Sequence, residues 1–217
     1  MTRLILIRHG ETDWNRERRF QGHADIGLNP NGQQQARRLA ARLATESFDA
    51  IHSSDLRRAR DSVQALADGL GLPLQLDAGL REQSFGVMEG LLPQQVAERW
   101  PEVWQQWALH DADWAPPGGE STRQFHARVL AAVRRIAAAH HGQQVLVATH
   151  GGVLDMLWRD VHGLPLQGAR DCHIPNCGIN RLQLDDERLT ILQWADDAHM
   201  ADLPPQPSTE PVVLGGR

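Results

Sequence analysis

The chain contains no lysine: all 22 basic residues among its 217 are arginines. Arginine holds its charge across the physiological pH range and binds phosphate or carboxylate oxygens through paired hydrogen bonds. Any phosphate site in this protein therefore has to be built from arginine, histidine or backbone amides.

Positive charge and long apolar runs are also in short supply. The 27 acidic residues outnumber the basic ones, and a net charge of −5 argues against broad nucleic-acid binding. No apolar stretch approaches the roughly 20 residues that cross a bilayer, and the run after Arg3 is too short for a signal-peptide core. We expect a cytoplasmic protein that binds neither nucleic acid nor membrane.

Cysteine is scarce as well. Cys172 and Cys177 flank His173, but this trio is a poor zinc signature because no second ligand pair accompanies it. We expect both cysteines to be free thiols, as is usual in a reducing compartment. No acidic cluster resembles a Mg²⁺ site, so we predict neither a metal nor a cofactor.

Short apolar runs alternate with helical patterns along most of the chain. Strands are predicted over 4–7, 48–52, 74–76 and 145–148, and helices from Pro30, from the Ser53-Ser54-Asp55 cap signal, over 121–140 and over 153–161. Two later strands, 178–184 and 190–194, form a predicted hairpin. This order predicts an α/β fold, a three-layer sandwich with a mostly parallel, doubly wound sheet and an antiparallel edge.

The predicted organisation is one domain over residues 1–203, with a helical lid inserted at about 91–117 and a flexible tail over 204–217. The lid is rich in tryptophan: Trp100, Trp104 and Trp107 keep helical spacing and are predicted to share one face. Such a stripe more often packs than binds a ligand. The arginines at 16, 18 and 19 lie in a polar stretch and are predicted to be solvated.

Four polar clusters follow predicted strands or begin predicted helices. They are Arg8-His9-Gly10, Arg58, Arg81-Glu82 and His150-Gly151-Gly152. Strand ends that precede helices share one rim of a parallel sheet, where ligands gather, so we expect these side chains to converge. A surface histidine after an edge strand is the alternative reading of His9 taken alone.

Two imidazoles, two guanidiniums and a carboxylate suit phosphoryl transfer. A neutral imidazole is a competent nucleophile, arginines stabilise charge on phosphate oxygens, and a carboxylic acid can protonate a leaving alcohol. We therefore expect His9 to attack phosphorus. The other histidines, at 23, 52, 110, 126, 140, 141, 162 and 199, lack such placement and are predicted to lie at the surface or in packing.

The order of these motifs resembles the histidine phosphatase superfamily, phosphoglycerate mutase-like branch. The matching stretches, over about residues 3 to 180, are Arg8-His9-Gly10-Glu11-Thr12, Phe20-Gln21-Gly22, Leu28-Asn29, Ser54-Asp55-Leu56 with Arg58-Ala59, Leu80-Arg81-Glu82, Phe85-Gly86, Glu89-Gly90, Pro117 with Glu120-Ser121, and Thr149-His150-Gly151-Gly152. A single tetrapeptide would be weak support, whereas the ordered set is strong.

The resemblance implies a role for each matching position. His9 would be phosphorylated, Arg8, Arg58 and His150 would form the phosphate pocket, and Glu82 would donate and accept the proton. Further phosphate or substrate contacts would come from Asn15, from Gln21 and Gly22, and from the Gly151 backbone amide at a helix start. For Asn15 and Gln21, local hydrogen bonding within the loop is an equally good reading.

The family contains both phosphatases and mutases. A phosphoglycerate mutase needs extra cations for a second anionic group, yet the segment Gln83–Ala115 has one basic residue, Arg99, and four tryptophans. We therefore predict a phosphomonoesterase acting on a small phosphorylated metabolite, with mutase-type transfer as the alternative. A non-catalytic phospholigand-binding regulator is a second alternative, which the retention of Glu82 disfavours. Neither the substrate nor the oligomeric state is predicted.

Overall fold

The computed structural model describes residues 1–206, which form a six-stranded sheet between two layers of helices. The strands are β1 (Thr2–Arg8), β2 (Ala50–Ser53), β3 (Leu74–Leu76), β4 (Gln144–Thr149), β5 (Ile179–Asp185) and β6 (Arg188–Asp196). The helices are α1 (Asp13–Glu17), α2 (Pro30–Leu43), α3 (Arg57–Leu70), α4 (Pro93–Arg99), α5 (Pro101–Ala108), α6 (Thr122–Ala139) and α7 (Gly151–His162).

The sheet order is β3-β2-β4-β1-β5-β6. The strands β3, β2, β4 and β1 pair in parallel, whereas β5 pairs antiparallel with both β1 and β6. The predicted doubly wound sheet with an antiparallel hairpin at its edge is therefore confirmed. The adjacent parallel strands β1 and β4 are central, so the residues that follow them emerge at the middle of one rim.

Strand β1 divides its side chains between two hydrophobic cores. Leu4 and Leu6 pack with residues of α6 and α7, whereas Ile5 and Ile7 pack on the other face with residues of α2 and α3. This follows from the period of two along a strand, which points successive side chains to opposite faces. Burial on both faces explains why the strand reads as an uninterrupted apolar run.

Helix α2 begins as its sequence predicts, with the Asn29 side chain accepting a bond from the Gly32 amide and Pro30 as the first helical residue. The predicted cap of α3 is wrong. Its N-cap is Leu56, which has no side-chain cap bond, because Ser54 bonds to His150 and Asp55 is ion-paired with Arg81.

The single tryptophan face predicted in the lid is also wrong. Trp100 separates α4 from α5, because Pro101 starts a new helix and the residue before proline is disfavoured in the helical region. Trp104 and Trp107 remain on one helix, whereas Trp100 lies under the Arg99 guanidinium, 4.6 Å from it.

Most of the predicted tail, residues 207–217, lies outside the described residues, and the domain and lid boundaries stay predictions. Among residues 1–206 no helix combines the length and the apolar character that a membrane span requires.

Candidate active site

His9 lies just beyond the end of β1, buried and held from three sides. Its amide donates to Thr149 O (2.9 Å), its carbonyl accepts from Asn176 Nδ2 (2.8 Å), and its Nδ1 lies 2.7 Å from Gly10 O. A carbonyl can only accept, so Nδ1 carries the proton and Nε2 keeps its lone pair. Burial, followed by the charges of Arg58 and Arg8, holds the pKa of His9 well below its usual value.

Arg8 and Arg58 supply buried positive charge beside this imidazole. Arg8 donates from Nη1 to Ile174 O (2.6 Å), and Arg58 donates to the carbonyls of Ala24 (2.8 Å) and Gly22 (2.7 Å). The Nε–H group of each has no partner among the described residues although it is buried. Burial lowers the pKa of both guanidiniums to about 10, so both stay charged at neutral pH.

Glu82 reaches the same cavity from the loop that follows β3. Its carboxylate accepts from the amide of Gly152 (2.9 Å) through one oxygen and from its neighbour Gln83 (3.0 Å) through the other. Its carbonyl accepts from Arg128 and contacts His23 Nε2, both at 3.0 Å. Its main chain and carboxylate are thus both fixed, which is what a positioned proton donor needs. His23, predicted to lie at the surface or in packing, thus contacts the main chain of a predicted site residue.

His150 follows β4 and is fully buried beside His9, with the two ring centroids 5.2 Å apart. Its Nε2 lies 2.8 Å from Ser54 Oγ, and its Nδ1 is buried without a partner in the described part of the chain. Ser54 Oγ already accepts a bond from the Leu56 amide, which favours the hydroxyl as donor to Nε2 and the ring proton on Nδ1. Burial, followed by the charge of Arg58, lowers the pKa of His150 well below its usual value.

These groups surround a cavity of about 750 Å³. Of the nine predicted site residues, six line it: Arg8, His9, Asn15, Gln21, Arg58 and Glu82. His150, Gly22 and Gly151 are not among the lining residues. The sheet rim therefore brings the predicted clusters together, apart from Arg81, which is paired with Asp55.

The residues that the resemblance assigns to further contacts have clear local roles. Asn15 Oδ1 accepts from the Thr12 amide in the cap of α1, and Gln21 Oε1 accepts from the Thr12 hydroxyl. Gly22 uses its carbonyl to hold Arg58, and Gly151 is the first residue of α7. Direct contacts from these four residues to phosphate stay a prediction.

Several cavity residues were not predicted. Arg18, Arg19, Arg159, Arg170 and Asn176 line the wall, so the stretch expected to be solvated contributes two arginines. Arg159, Arg170 and Asn176 lie on or after α7, where no motif marks them. One signal in the sequence is the i, i+4 pair of Asp155 and Arg159 within an otherwise apolar helix. Burying such a charge pair costs desolvation free energy, so its presence indicates a structural or functional role.

Aromatic rings from the lid and from earlier loops line part of the cavity. Trp107 meets Phe20 (5.5 Å between centroids) and Phe85 (5.4 Å) edge to face. Trp14, Trp104 and Trp114 also line the cavity. The lining of the cavity thus combines aromatic rings with arginines.

Among the remaining histidines and cysteines, His110 lines the cavity, and the amide of Cys177 donates to the carbonyl of Arg8 (2.9 Å). His52 and His140 contact each other (3.0 Å) and are not among the lining residues. Cys172 and Cys177 are buried free thiols, and burial raises the pKa of each to about 12. Within residues 1–206 no three or more histidine, cysteine, aspartate or glutamate side chains are grouped so as to hold a metal ion.

Comparison with known proteins identifies relatives over nearly the whole chain. A family model described as histidine phosphatase superfamily (branch 1) matches residues 4–197. Phosphoglycerate mutase-like protein 4 of Arabidopsis thaliana is 37% identical over 204 residues, 92% of this chain and 87% of that protein. A metal-independent phosphoserine phosphatase of the same plant is 34% identical, over 94% of this chain and 85% of the relative.

A solved structure shows the same architecture. A mycobacterial glucosyl-3-phosphoglycerate phosphatase superimposes with a TM-score of 0.77 at 31% sequence identity, covering 89% of this chain and 98% of the other. The predicted α/β class is thereby confirmed.

Proposed function

The chain belongs to the histidine phosphatase superfamily (branch 1), and we propose that it hydrolyses small phosphate monoesters through a phosphohistidine formed at Nε2 of His9. The prediction of a phosphatase of this family is confirmed by the family match and by relatives named as phosphatases. The phosphohistidine, the roles of individual residues, the cytoplasmic location and the freedom from cofactors stay proposals.

The observation that carries this mechanism is a buried, neutral imidazole next to two buried guanidiniums. The Nδ1–H of His9 is fixed by the Gly10 carbonyl, which leaves Nε2 as the free nucleophilic atom. Arg8 and Arg58 each keep an Nε–H donor beside it that has no partner within residues 1–206, and a phosphoryl group would satisfy these donors while they stabilise its charge.

The first step forms an N–P bond and breaks the P–O bond to the leaving group. His9 Nε2 supplies the electron pair, and the Glu82 carboxylic acid protonates the departing oxygen. His150, with its proton on Nδ1, would add a hydrogen bond to the transferring group.

The second step returns the enzyme to its starting state. The Glu82 carboxylate takes a proton from water, the water oxygen attacks phosphorus, and the N–P bond breaks with its electron pair returning to Nε2. Inorganic phosphate leaves, and Glu82 is again protonated. Each protein group thus ends as it began, so no external reductant or metal is consumed.

Mutase-type transfer is a second candidate, favoured by the relative named as phosphoglycerate mutase-like and by the arginines on the cavity wall. It uses the same phosphohistidine but returns the phosphoryl group to a sugar acid. Release of inorganic phosphate from a panel of monoesters, compared with interconversion of phosphoglycerates, separates the two. Faster interconversion would overturn the phosphatase proposal.

The nucleophile is tested with an aryl phosphate and three proteins: wild type, His9→Ala and Arg37→Gln, an exposed arginine on α2. We expect a loss of about 10³-fold or more in kcat for His9→Ala, as for other removed nucleophiles, and no change for Arg37→Gln. Rapid quench should trap an acid-labile, base-stable phosphoenzyme in wild type and Arg37→Gln but not in His9→Ala. Full activity in His9→Ala would exclude His9 as nucleophile and also the non-catalytic reading of the fold.

A further inference from the structure

Arg170 lies on the cavity wall with an incompletely satisfied guanidinium. Its Nε is buried and has no hydrogen-bond partner within residues 1–206. The nearest carboxylate oxygen, on Asp155, is 4.0 Å away, and that aspartate is bonded more closely to Arg159, at 3.2 Å. Arg170 therefore brings positive charge to the cavity that the protein itself compensates only weakly.

The charge of Arg170 is directed towards the phosphate site. A methyl group placed on Gly151 would lie 3.2 Å from Arg170 Nη1 and 3.4 Å from Arg8 Nε, so the two guanidiniums flank the same backbone position. After burial, the charge of Arg170 is the strongest influence that lowers the pKa of Arg8. Two neighbouring cations repel each other, and a bound anion between or beside them relieves that repulsion.

The backbone of the loop that carries Arg170 is held by hydrogen bonds. Arg159, buried in α7, donates hydrogen bonds to four carbonyls of this loop, those of Pro165, Gln167, Gly168 and Ala169. These bonds fix the backbone up to the residue before Arg170. Such a framework holds a side chain in a defined position, as a substrate-binding group requires.

We propose that Arg170 binds a second anionic group of the substrate, a carboxylate a few bonds from the phosphoester oxygen. This inference rests on the proposed function and specifies its substrate class. Arg8 and Arg58 already flank the nucleophile and serve the transferred phosphoryl group, whereas Arg170 is next to Arg8 and has no hydrogen-bonded carboxylate within residues 1–206. Because its guanidinium is next to Arg8, the two anions must be close, which selects a small phosphorylated acid.

The test uses two substrates that differ in a carboxylate alone, O-phosphoserine and O-phosphoethanolamine. Values of kcat and KM are measured for wild type, Arg170→Gln, Arg170→Lys and the exposed control Arg37→Gln. We expect Arg170→Gln to lower kcat/KM for phosphoserine about 10- to 100-fold, mainly through KM, because it removes a charge-assisted bond made in the bound state. For phosphoethanolamine the change should stay within about threefold.

The other variants guard against a purely structural explanation. Arg170→Lys keeps a cation and should recover part of the loss on phosphoserine, and Arg37→Gln should behave as wild type. An equal loss on both substrates would place Arg170 in the phosphate pocket and overturn the inference. So would an unchanged preference in Arg170→Gln. Wild-type protein that releases phosphate from no monoester would instead overturn the proposed function, and this inference with it.

Discussion

The imidazole rings of His9 and His150 lie 5.2 Å apart with their planes inclined by 59°, and both residues are buried. Burial is the main cause that lowers the pKa of each, followed in each case by the charge of Arg58. Two adjacent histidines are thus held neutral by the same buried surroundings. The lowered pKa values of these histidines affect both the activity and the pH dependence of stability.

His9 should not titrate near pH 6.5, the usual value for histidine. Its lowered pKa keeps the ring neutral and nucleophilic as the pH falls from 7.5 to 6. NMR of the imidazole nitrogens, with the His9 signals assigned from their loss in His9→Gln, measures this directly. A titration midpoint of His9 at or above about 6.5 would contradict the neutral nucleophile.

Stability should fall on acidification below pH 6.5. Because the folded-state pKa values of His9 and His150 lie below those in the unfolded chain, the unfolded chain binds more protons in this range. The free energy of unfolding therefore rises with pH up to about 6.5, where the histidine contribution levels off. Urea unfolding at pH 5.5 to 7.5 tests the sign, and His9→Gln should show a shallower slope than wild type. An identical slope in that variant would refute the assignment.

Replacing Glu82 by glutamine should harm poor leaving groups most. Protonation by a general acid is worth about 10²- to 10⁴-fold for an alkoxide and far less for a nitrophenolate, which departs without a proton. Steady-state rates with an alkyl phosphate and p-nitrophenyl phosphate, together with the p-nitrophenol burst, report this difference. Glu102→Gln, an exposed change on α5, is the control. Equal losses in the rate of phosphoenzyme formation from the two esters would argue against Glu82 as the acid.

Gly152→Ala should reproduce much of the Glu82→Gln defect without touching a titratable group. A Cβ at this position would lie 2.1 Å from Glu82 Oε1 and 3.0 Å from a ring carbon of Phe125, so the carboxylate has to move. Gly69→Ala on α3 is the matched control, because a Cβ there would meet no atom of residues 1–206 within 4 Å. This change should raise the free energy of unfolding by about 0.5–1 kcal/mol. Normal turnover of an alkyl phosphate by Gly152→Ala would show that the exact carboxylate position is unimportant.

Arg159→Met should destabilise the fold strongly. The substitution leaves the buried Asp155 carboxylate and the loop carbonyls without their donor, for which we expect a cost of about 3–5 kcal/mol. Arg38→Met, the same change at an exposed pair with Asp202, should cost less than about 1 kcal/mol. Urea denaturation of both variants gives the comparison. Similar values for the two would show that burial of the Arg159 network is energetically neutral.

The sequence predicts the central part of the site because local rules apply there. Strands β1 and β4 are short apolar runs, and each ends at a polar residue that the topology of a parallel sheet brings to the same rim. The proximity of His9 and His150 can therefore be predicted without any information on side-chain packing. The ordered motifs then connect Arg58 and Glu82 to the same rim.

Local sequence rules do not predict features that depend on a single helix-breaking residue or on contacts between distant parts of the chain. Pro101 divides the lid helix, so the regular spacing of Trp100 with Trp104 misleads. Arg170 lies in a loop with no periodicity, and its position depends on bonds from Arg159 that only the folded chain forms. The tertiary bond of Ser54 to His150 likewise removes a residue expected to cap α3.

The absence of lysine fixes how the cavity responds to pH. A lysine buried as deeply as Arg8 could lose its proton near or below neutral pH, as buried lysines with pKa values of about 5–6 show. The two guanidiniums instead reach only about 10 on burial. The positive charge of Arg8 and Arg58 is therefore constant across the whole range in which a phosphate ester passes from one negative charge to two. Over that range the ligand changes its ionisation while these two guanidiniums do not.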